Sequence, residues 1–216
     1  MSYQLNEESF LKDVAEHEMV VIRDEGIYRH IRFKKPGTGY MHFDLVTWPG
    51  YLAYSGDMGC YVFSRLEDMF EFFRSDRQLR DGITLAINLG YWSEKLQAVD
   101  GNRRDAGAME FDEEKFKHVI NEYRVEWMRE GGLSKDERRE LWEAVDSQVL
   151  GELDNGGMRA QIAAYDFYYR GEGKEFYFQD LFERNFEKYT HRFTWCCYAL
   201  AWGIKKYDEA KEVVPA

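Results

Sequence analysis

The segment Trp48–Ser75, WPGYLAYSGDMGCYVFSRLEDMFEFFRS, predicts a turn, two strands and a helix in immediate succession. Pro49 and Gly50 stand in the order that a type II turn requires, because Pro fixes φ and Gly tolerates a positive φ. Two β-prone runs follow at Tyr51–Ser55 and Cys60–Phe63, joined by the four residues GDMG. A short glycine-containing connection of this kind is typical of a β-hairpin.

The end of the same segment predicts a helix. Ser64 and Glu67 have the spacing of a capping box, in which two side chains satisfy free N–H groups at a helix start. Apolar residues then recur at i, i+3, i+4 and i+7, as on a buried helix face. They are Leu66, Met69, Phe70 and Phe73. The segment has no nucleophile–base pair and no cluster of metal ligands, so it indicates structure and no chemistry.

Upstream of this segment, the residue pattern predicts three more strands. They lie at Met19–Arg23, Ile27–Phe33 and Met41–Trp48, and turn-forming residues separate them. With the hairpin they make an antiparallel meander of about five strands, closed by the helix after Ser64. Asn6 is a candidate cap for a first helix near residues 7–17.

From Asp76 onward the pattern becomes helical. The first predicted helix is Ile83–Val99, and the second is capped by Asp112 and ended by Gly131-Gly132. The third follows a Ser134/Glu137 capping box, and its inward residues are Leu141, Trp142, Val145 and Val149. The remaining predicted helices are Met158–Tyr169, Phe178–Tyr189 and His191–Lys211. The last of these is apolar nearly all round, which predicts a central element of the core.

The predicted fold class is therefore α+β. An N-terminal antiparallel β meander, with its strands confined to the first third, packs against a larger C-terminal helical part. We predict a single domain over residues 1–216, with a β-rich front at about 1–75 and a helical remainder at about 76–216. Glycines near Asp100–Gly107 mark the one plausible hinge.

Composition and cysteine usage predict a globular protein of the cytoplasm. The chain is 44% apolar and 17% aromatic, enough to supply a core. Residues 1–8 lack the apolar centre of a secretory signal, and the longest apolar run, Phe193–Trp202, is too short to span a bilayer. Cys196 and Cys197 are adjacent and Cys60 is distant, a set that fits a reducing compartment. We expect no membrane partner.

The net charge of −11 is uneven along the chain. Residues 105–155 carry 15 acidic and 7 basic side chains, a local charge of −8. Such a deficit disfavours direct binding of nucleic acid, because phosphates need Lys and Arg, and it suits a partner protein with a basic surface. The alternative is that these charges only cover the outer faces of two helices. The candidate partner-binding residues are Asp112, Glu113, Glu114, Asp136, Glu137, Glu140 and Glu143.

No residue pattern nominates catalysis. His42 and Asp44 share a strand face, but a metal site needs more ligands than two. The glycine loop at residues 35–39 lacks the Gly-Lys-Ser/Thr ending of a phosphate loop. We therefore predict no catalytic residue, no metal site and no cofactor. A candidate pocket remains between the meander and the helices, lined by His42, Trp48, Tyr54 and Cys60.

Two segments resemble known sequences. Thr47–Phe73 (TWPGYLAYSGDMGCYVFSRLEDMFEFF) and His191–Asp208 (HRFTWCCYALAWGIKKYD) are similar to stretches of uncharacterised accessory proteins encoded by tailed bacteriophages and prophages. The resemblance carries over no activity and no site residue. It implies the cytoplasm of a bacterial host during phage growth and an accessory role.

Two functions follow as hypotheses. The first is a non-enzymatic phage or prophage accessory protein that binds a host protein with a basic surface, for example an anti-defence protein whose acidic side chains imitate nucleic acid. The second is a small enzyme or ligand-binding domain that uses the candidate pocket. A continuous acidic ridge favours the first, and a deep pocket with convergent polar groups favours the second. The sequence leaves the oligomeric state open.

Overall fold

A computed structural model describes residues 5–75, 85–101, 107–129, 132–171 and 173–212. The strands are β1 (Glu18–Glu25), β2 (Tyr28–Lys34), β3 (Phe43–Trp48), β4 (Tyr51–Gly56), β5 (Gly59–Ser64), β6 (Leu96–Val99), β7 (Met109–Phe111), β8 (Tyr169–Gly171), β9 (Lys174–Phe176) and β10 (Glu187–Tyr189). The α-helices are α1 (Glu7–Asp13), α2 (Met69–Arg74), α3 (Leu89–Ser93), α4 (Glu113–Arg129), α5 (Lys135–Gln148), α6 (Gly157–Asp166) and α7 (His191–Glu212). Short 3₁₀ helices lie at Leu150–Asn155 and Leu181–Glu183.

The contacts of the chain divide it into two compact units. Unit 1 comprises residues 1–109 and 189–216, and unit 2 comprises residues 110–188. The chain passes from unit 1 to unit 2 through β7 and returns through β10, and these two strands pair with each other. The division does not fall at the predicted boundary near residue 75, because α7 belongs with the sheet. A single domain over the whole chain stays a prediction.

Unit 1 is built on a six-stranded antiparallel sheet in the order β1-β2-β3-β4-β5-β6. The five predicted strands are confirmed, and so is the α+β fold class. The predicted helix over Ile83–Val99 is wrong in its described part, which contains the five-residue α3 and then β6. β6 pairs with β5, with Tyr61 opposite Val99. The free edge of β5 thus supplies a hydrogen-bonding partner that local sequence preference cannot reveal.

The turns around β4 follow the predicted chemistry. Gly50 has φ of 82°, the positive value that a type II turn needs. Gly56 pairs directly with Gly59, so the β4–β5 turn has only Asp57 and Met58 at its tip. A Cβ on Gly56 would lie 2.2 Å from the His42 carbonyl oxygen, so only glycine fits there without displacement of the chain.

The predicted capping box at Ser64 and Glu67 is wrong. Ser64 is the last residue of β5, and its N–H donates to the carbonyl of Lys95 at 3.0 Å. The cap of α2 is Asp68, whose carboxylate accepts from the N–H of Phe70 at 2.9 Å. Strand pairing with the β6 region extends β5 through Ser64 and delays the helix by one turn. Leu66, which we expected inside, is 44% exposed.

The core of unit 1 lies between one face of the sheet and α7. The predicted last helix is confirmed as a buried element, since Trp195 and Leu200 have no exposed surface. Trp195 also donates its indole N–H to Asp13 at 2.9 Å. Gly203 lets α7 approach the sheet closely, because a Cβ there would be 3.0 Å from a Leu45 methyl group. The predicted cap Asn6 is confirmed and forms a capping box with Ser9.

Unit 2 packs α4, α5 and α6 around a second aromatic core. Its predicted helix starts are confirmed: Asp112 accepts from the N–H of Lys115 at 3.1 Å, and Ser134 and Glu137 form a capping box. Phe111 before the cap and Phe116 in the first turns of α4 also form a hydrophobic staple, with their rings 5.4 Å apart. Its side chains fill a core of their own, because the clusters of buried residues in the two units are separate.

Two other expectations for unit 2 are wrong. The predicted helix at 178–189 is replaced by irregular chain, a 3₁₀ turn and β10, and β8 follows a helix that stops at Asp166. Asp180 has a left-handed φ of 55°, which breaks helical geometry at the start of the segment. Strands are therefore not confined to the first third of the chain. Trp142, which we expected inside, is 41% exposed.

Candidate functional site

The candidate partner-binding residues all lie in unit 2, mostly at its surface. Unit 2 carries 20 acidic and 12 basic side chains, a net charge of −8, against −3 for unit 1. Asp112 and Glu137 are half-buried because they cap α4 and α5. The other five are exposed, namely Glu113, Glu114, Asp136, Glu140 and Glu143. Most of the group is therefore exposed.

Three of these carboxylates form a stripe along α5. Asp136, Glu140 and Glu143 stand at i, i+4 and i+7 and so share one side of the helix. Arg139 lies between them, 3.6 Å from Asp136 and 4.0 Å from Glu143. All members of these ion pairs are at least two-thirds exposed, so solvent screens the pairs strongly. The stripe keeps a net negative charge.

The acidic residues of α4 and those of α5 lie at opposite ends of a helical hairpin. A short connection joins the two helices, and Arg124 of α4 donates to the Trp142 carbonyl and to Asp146 of α5. α4 has 17 residues and is therefore about 25 Å long. The seven candidates thus do not form one compact cluster. They therefore do not make up one continuous acidic ridge.

Two acidic residues near this hairpin are not among the seven candidates. Asp146 is 64% exposed and pairs with Arg124 at 3.1 Å. Asp154 is exposed and lies close enough to Lys117 to contribute to the raised pKa of that amine. The main cause of that shift is the hydrogen bond from Lys117 to Glu113. The sequence did not single out these two residues as candidates, because neither of them lies at the start of a predicted helix.

The α5 stripe also acts on the neighbouring Tyr169. The pKa of the Tyr169 hydroxyl is raised, first by burial and then by the negative charge of Glu140 and the hydrogen bond to it. The hydroxyl lies 3.4 Å from a Glu140 oxygen. Burial is the main cause, and the further rise in the pKa of Tyr169 is the effect expected of a carboxylate beside an acidic group.

The predicted pocket does not form. Each residue of an antiparallel sheet lies on the same face as its cross-strand partner, and Trp48 pairs with Tyr51 while Tyr54 pairs with Tyr61. Tyr54 therefore lies on the core face, fully buried, whereas Trp48 and Cys60 lie on the opposite face. His42 precedes β3 and borders a different cleft. The four side chains do not line one cavity.

The described residues show no arrangement typical of nucleophilic or metal chemistry. Burial raises the pKa of Cys60, and it raises those of Cys196 and Cys197 far more, so the protonated thiols are favoured at all three positions. No group of three or more His, Cys, Asp or Glu in the described ranges could hold a metal ion.

Comparison of the chain with protein-family models, curated proteins and solved structures finds no match. Within the described ranges, every helix is too short or too polar to pass through a bilayer.

Proposed function

We propose that this protein is non-enzymatic and acts by binding a partner protein with a basic surface through the acidic side chains of α4 and α5. The exposed carboxylate stripe of α5, in a unit with a net charge of −8, carries this proposal. Electrostatic complementarity of this kind speeds association and selects partners more than it adds affinity. No cofactor takes part in this function.

The biological setting of the proposal rests on sequence resemblance. The segments at 47–73 and 191–208 resemble phage and prophage accessory proteins, so we place the protein in the cytoplasm of a bacterial host. The partner would then be a host protein, and an anti-defence role is one form of the proposal. Direct contact with nucleic acid is not part of it.

The spacing of the stripe favours a basic protein surface in general over close imitation of a duplex. Asp136 and Glu143 are about 10 Å apart along the axis of α5, with three carboxylates over that length. One DNA strand has a phosphate about every 3.4 Å, so the stripe is sparser. Arg139 further reduces its charge. We therefore expect attraction to Lys and Arg without geometric mimicry.

The alternative is a small enzyme or ligand-binding domain with a pocket between the meander and the helices. It loses its main support because the four predicted lining residues do not line one cavity. Trp48 and Cys60 lie on the sheet face opposite Tyr54.

Two substitutions with opposite signs test the proposal on a partner captured from host lysate. Glu140→Lys with Glu143→Lys should slow association by about tenfold or more, whereas Arg139→Gln should speed it, because Arg139 partly neutralises the stripe. Glu67→Lys, at an exposed acid of unit 1, is the control for Glu143→Lys alone, because each changes the total charge by the same amount. Surface plasmon resonance at two salt concentrations measures the rates.

Three results would contradict the proposal. One is equal slowing by Glu67→Lys and by Glu143→Lys alone, which would mean that only total charge matters. Another is slower association after Arg139→Gln. The third is a gel shift showing tight binding of the protein to DNA or RNA at about 0.15 M salt, where screening acts over about 8 Å.

A further inference from the structure

A cleft of about 400 Å³ in unit 1 is lined by basic side chains. It opens beside β2 and the loop to β3, and its described lining contains no acidic residue although the chain has a net charge of −11. The lining residues are Arg32, Lys34, Gly37, Thr38, Gly39 and His42. A volume of this order is typical of sites for small molecules.

Arg32 is held in place by a carboxylate outside the cleft. Its Nε and Nη2 atoms each donate to Asp44 at 2.8 Å, in the two-pronged geometry of a strong ion pair. Burial alone would raise the pKa of Asp44, but Arg32 and His30 lower it below its ordinary value, so the carboxylate stays charged. The remaining nitrogen, Nη1, has no partner among the described residues. One donor of a fixed guanidinium is therefore unused.

Lys34 and His42 also have unused polar atoms. The cross-strand neighbour of Lys34 is Glu18, and no ion pair joins the two. His42 Nδ1 lies 2.6 Å from the Gly39 carbonyl oxygen and 3.2 Å from a carboxylate oxygen of Asp57. Both neighbours are acceptors, so Nδ1 carries a proton and Nε2 is left without a partner in the described part of the chain.

The loop that carries His42 is held in a strained conformation. Met41 has φ of 54°, a left-handed value that is rare for a residue other than glycine. Its N–H donates to Asp57 at 2.6 Å, and its carbonyl oxygen lies 2.9 Å from His17 Nε2. Such strain persists only where the surroundings fix the backbone, and it is common at binding sites. The cleft is therefore formed before any ligand arrives.

We propose that this cleft binds a phosphate group, either free or carried on a small molecule. Arg32 Nη1, Lys34 Nζ and His42 Nε2 supply unused polar atoms from two separate segments. Arg and Lys are the usual side-chain donors to phosphate. His42 Nε2 donates when the ring is protonated and accepts from a phosphate O–H when it is neutral.

This site differs from the phosphate loop that the sequence excludes. There the Lys belongs to a glycine-rich loop that runs into a helix. Here Arg32 and Lys34 come from strand β2, and the glycines at 37 and 39 leave the cleft open on the loop side. Binding at this site is independent of the partner surface proposed for unit 2, because all of the lining residues belong to unit 1.

The first experiment compares probes on the full-length protein by isothermal titration calorimetry. The probes are inorganic phosphate, glucose 6-phosphate and AMP, with glucose, adenosine and citrate as their partners without phosphate. We expect saturable binding of at least one phosphate-bearing probe and none of the other three. Inorganic phosphate alone would identify the free ion, and the esters would identify a carried phosphate. Failure of all three phosphate probes at millimolar concentration would overturn the proposal.

The second experiment uses matched variants. Lys34→Gln should weaken binding by about tenfold or more, whereas Lys115→Gln, which removes the same charge from an exposed site in unit 2, should have no effect. His42→Asn keeps a donor for Gly39 but removes Nε2, while His42→Gln keeps a donor at the Nε2 position. We expect the Asn variant to bind less tightly than the Gln variant. Equal weakening by Lys34→Gln and Lys115→Gln would overturn the site.

Discussion

Among the described residues two arginines are buried, one in each unit, and the difference between their partners shows what stabilises a buried charge. Arg29 in unit 1 is 8% exposed and Arg124 in unit 2 is 2% exposed. Each stacks on an aromatic ring: Arg29 lies 4.6 Å from the centre of Phe70 and Arg124 lies 3.6 Å from that of Trp142. Each also has an Nε atom that is buried without a hydrogen bond.

Their carboxylate partners differ in burial and geometry. Asp68 binds Arg29 through both oxygens, at 2.9 and 2.7 Å, and its side chain is only 21% exposed. Asp146 binds Arg124 with one oxygen at 3.1 Å and is 64% exposed. Burial disfavours the charge at both sites. At Arg29 the hydrogen bonds that it donates to Asp68 outweigh burial and raise the pKa, whereas at Arg124 burial prevails and lowers the pKa.

The largest predicted effect is the loss of the partner of Arg29. Asp68→Ala leaves a buried cation without a carboxylate and also removes the cap of α2, so it should destabilise unit 1 by about 3–5 kcal/mol. Asp146→Ala should cost about 1 kcal/mol or less, because Asp146 is 64% exposed and Arg124 keeps its hydrogen bonds to Asn121 and to the Trp142 carbonyl. Urea unfolding followed by tryptophan fluorescence and circular dichroism measures both. Equal losses would show that the burial of the carboxylate is irrelevant.

The stabilisation that Asp68 contributes should depend on pH. Burial alone would raise the pKa of Asp68, but the hydrogen bond from Arg29, that from the Phe70 N–H and nearby positive charge lower it below its ordinary 3.8. A lowered pKa in the folded state means that the stabilisation is present above 3.8 and is lost as the pH falls from there through the folded value.

Measurement of the free energy of unfolding at decreasing pH tests whether this stabilisation is lost in acid. We expect the difference in unfolding free energy between the parent and Asp68→Asn to be constant near neutral pH and to shrink below about pH 4. Asp146→Asn serves as the matched substitution in unit 2. A difference that grows on acidification would contradict the assignment.

Replacement of Arg124 should destabilise the protein less than replacement of Arg29. Arg124→Met keeps an apolar stem against Trp142 and removes a desolvated charge, so stability should change by about 1 kcal/mol or less. Arg29→Met leaves Asp68 half-buried without its cation, so it should cost clearly more. The midpoint of urea unfolding for each variant measures this contrast. A loss of several kcal/mol for Arg124→Met would mean that the exposed Asp146 contributes as much as a buried partner.

The sequence predicted the elements that local chemistry determines. β1–β5 follow from alternation and from turn residues, and α7 follows from its continuous apolar surface. Asn6, Asp112 and Ser134 were identifiable as caps because the bonds they make lie within three residues. The exposure of the α5 acids was predictable for the same reason, since their positions on the helix follow from its start at Ser134.

The sequence did not predict features that depend on distant partners. β6 forms because β5 offers a free edge, and α7 joins the sheet across more than 100 residues of chain. The Arg29–Asp68 pair joins residues 39 apart in sequence. The predicted pocket failed for a local reason that was available: with Trp48 opposite Tyr51, Tyr54 three residues later must lie on the other face. The basic cleft depends on the fold of the loop before β3 and had no motif.

The smallest predicted effect separates the two serines that the sequence nominated as caps. Ser134→Ala removes the acceptor for the Glu137 N–H at 3.2 Å, while the backbone N–H of residue 134 still donates to the Glu137 carboxylate. The loss of this one cap bond should destabilise unit 2 by about 0.5–2 kcal/mol. Ser64→Ala should change stability by about 0.5 kcal/mol or less, because Ser64 ends β5 and Asp68 caps α2. Thermal and urea midpoints of both variants, with Ser134→Thr as a cap-preserving control, measure the difference. Comparable losses at the two serines would mean that Ser64 does stabilise the start of α2, and that the sequence pattern identified a real cap one turn before the helix begins.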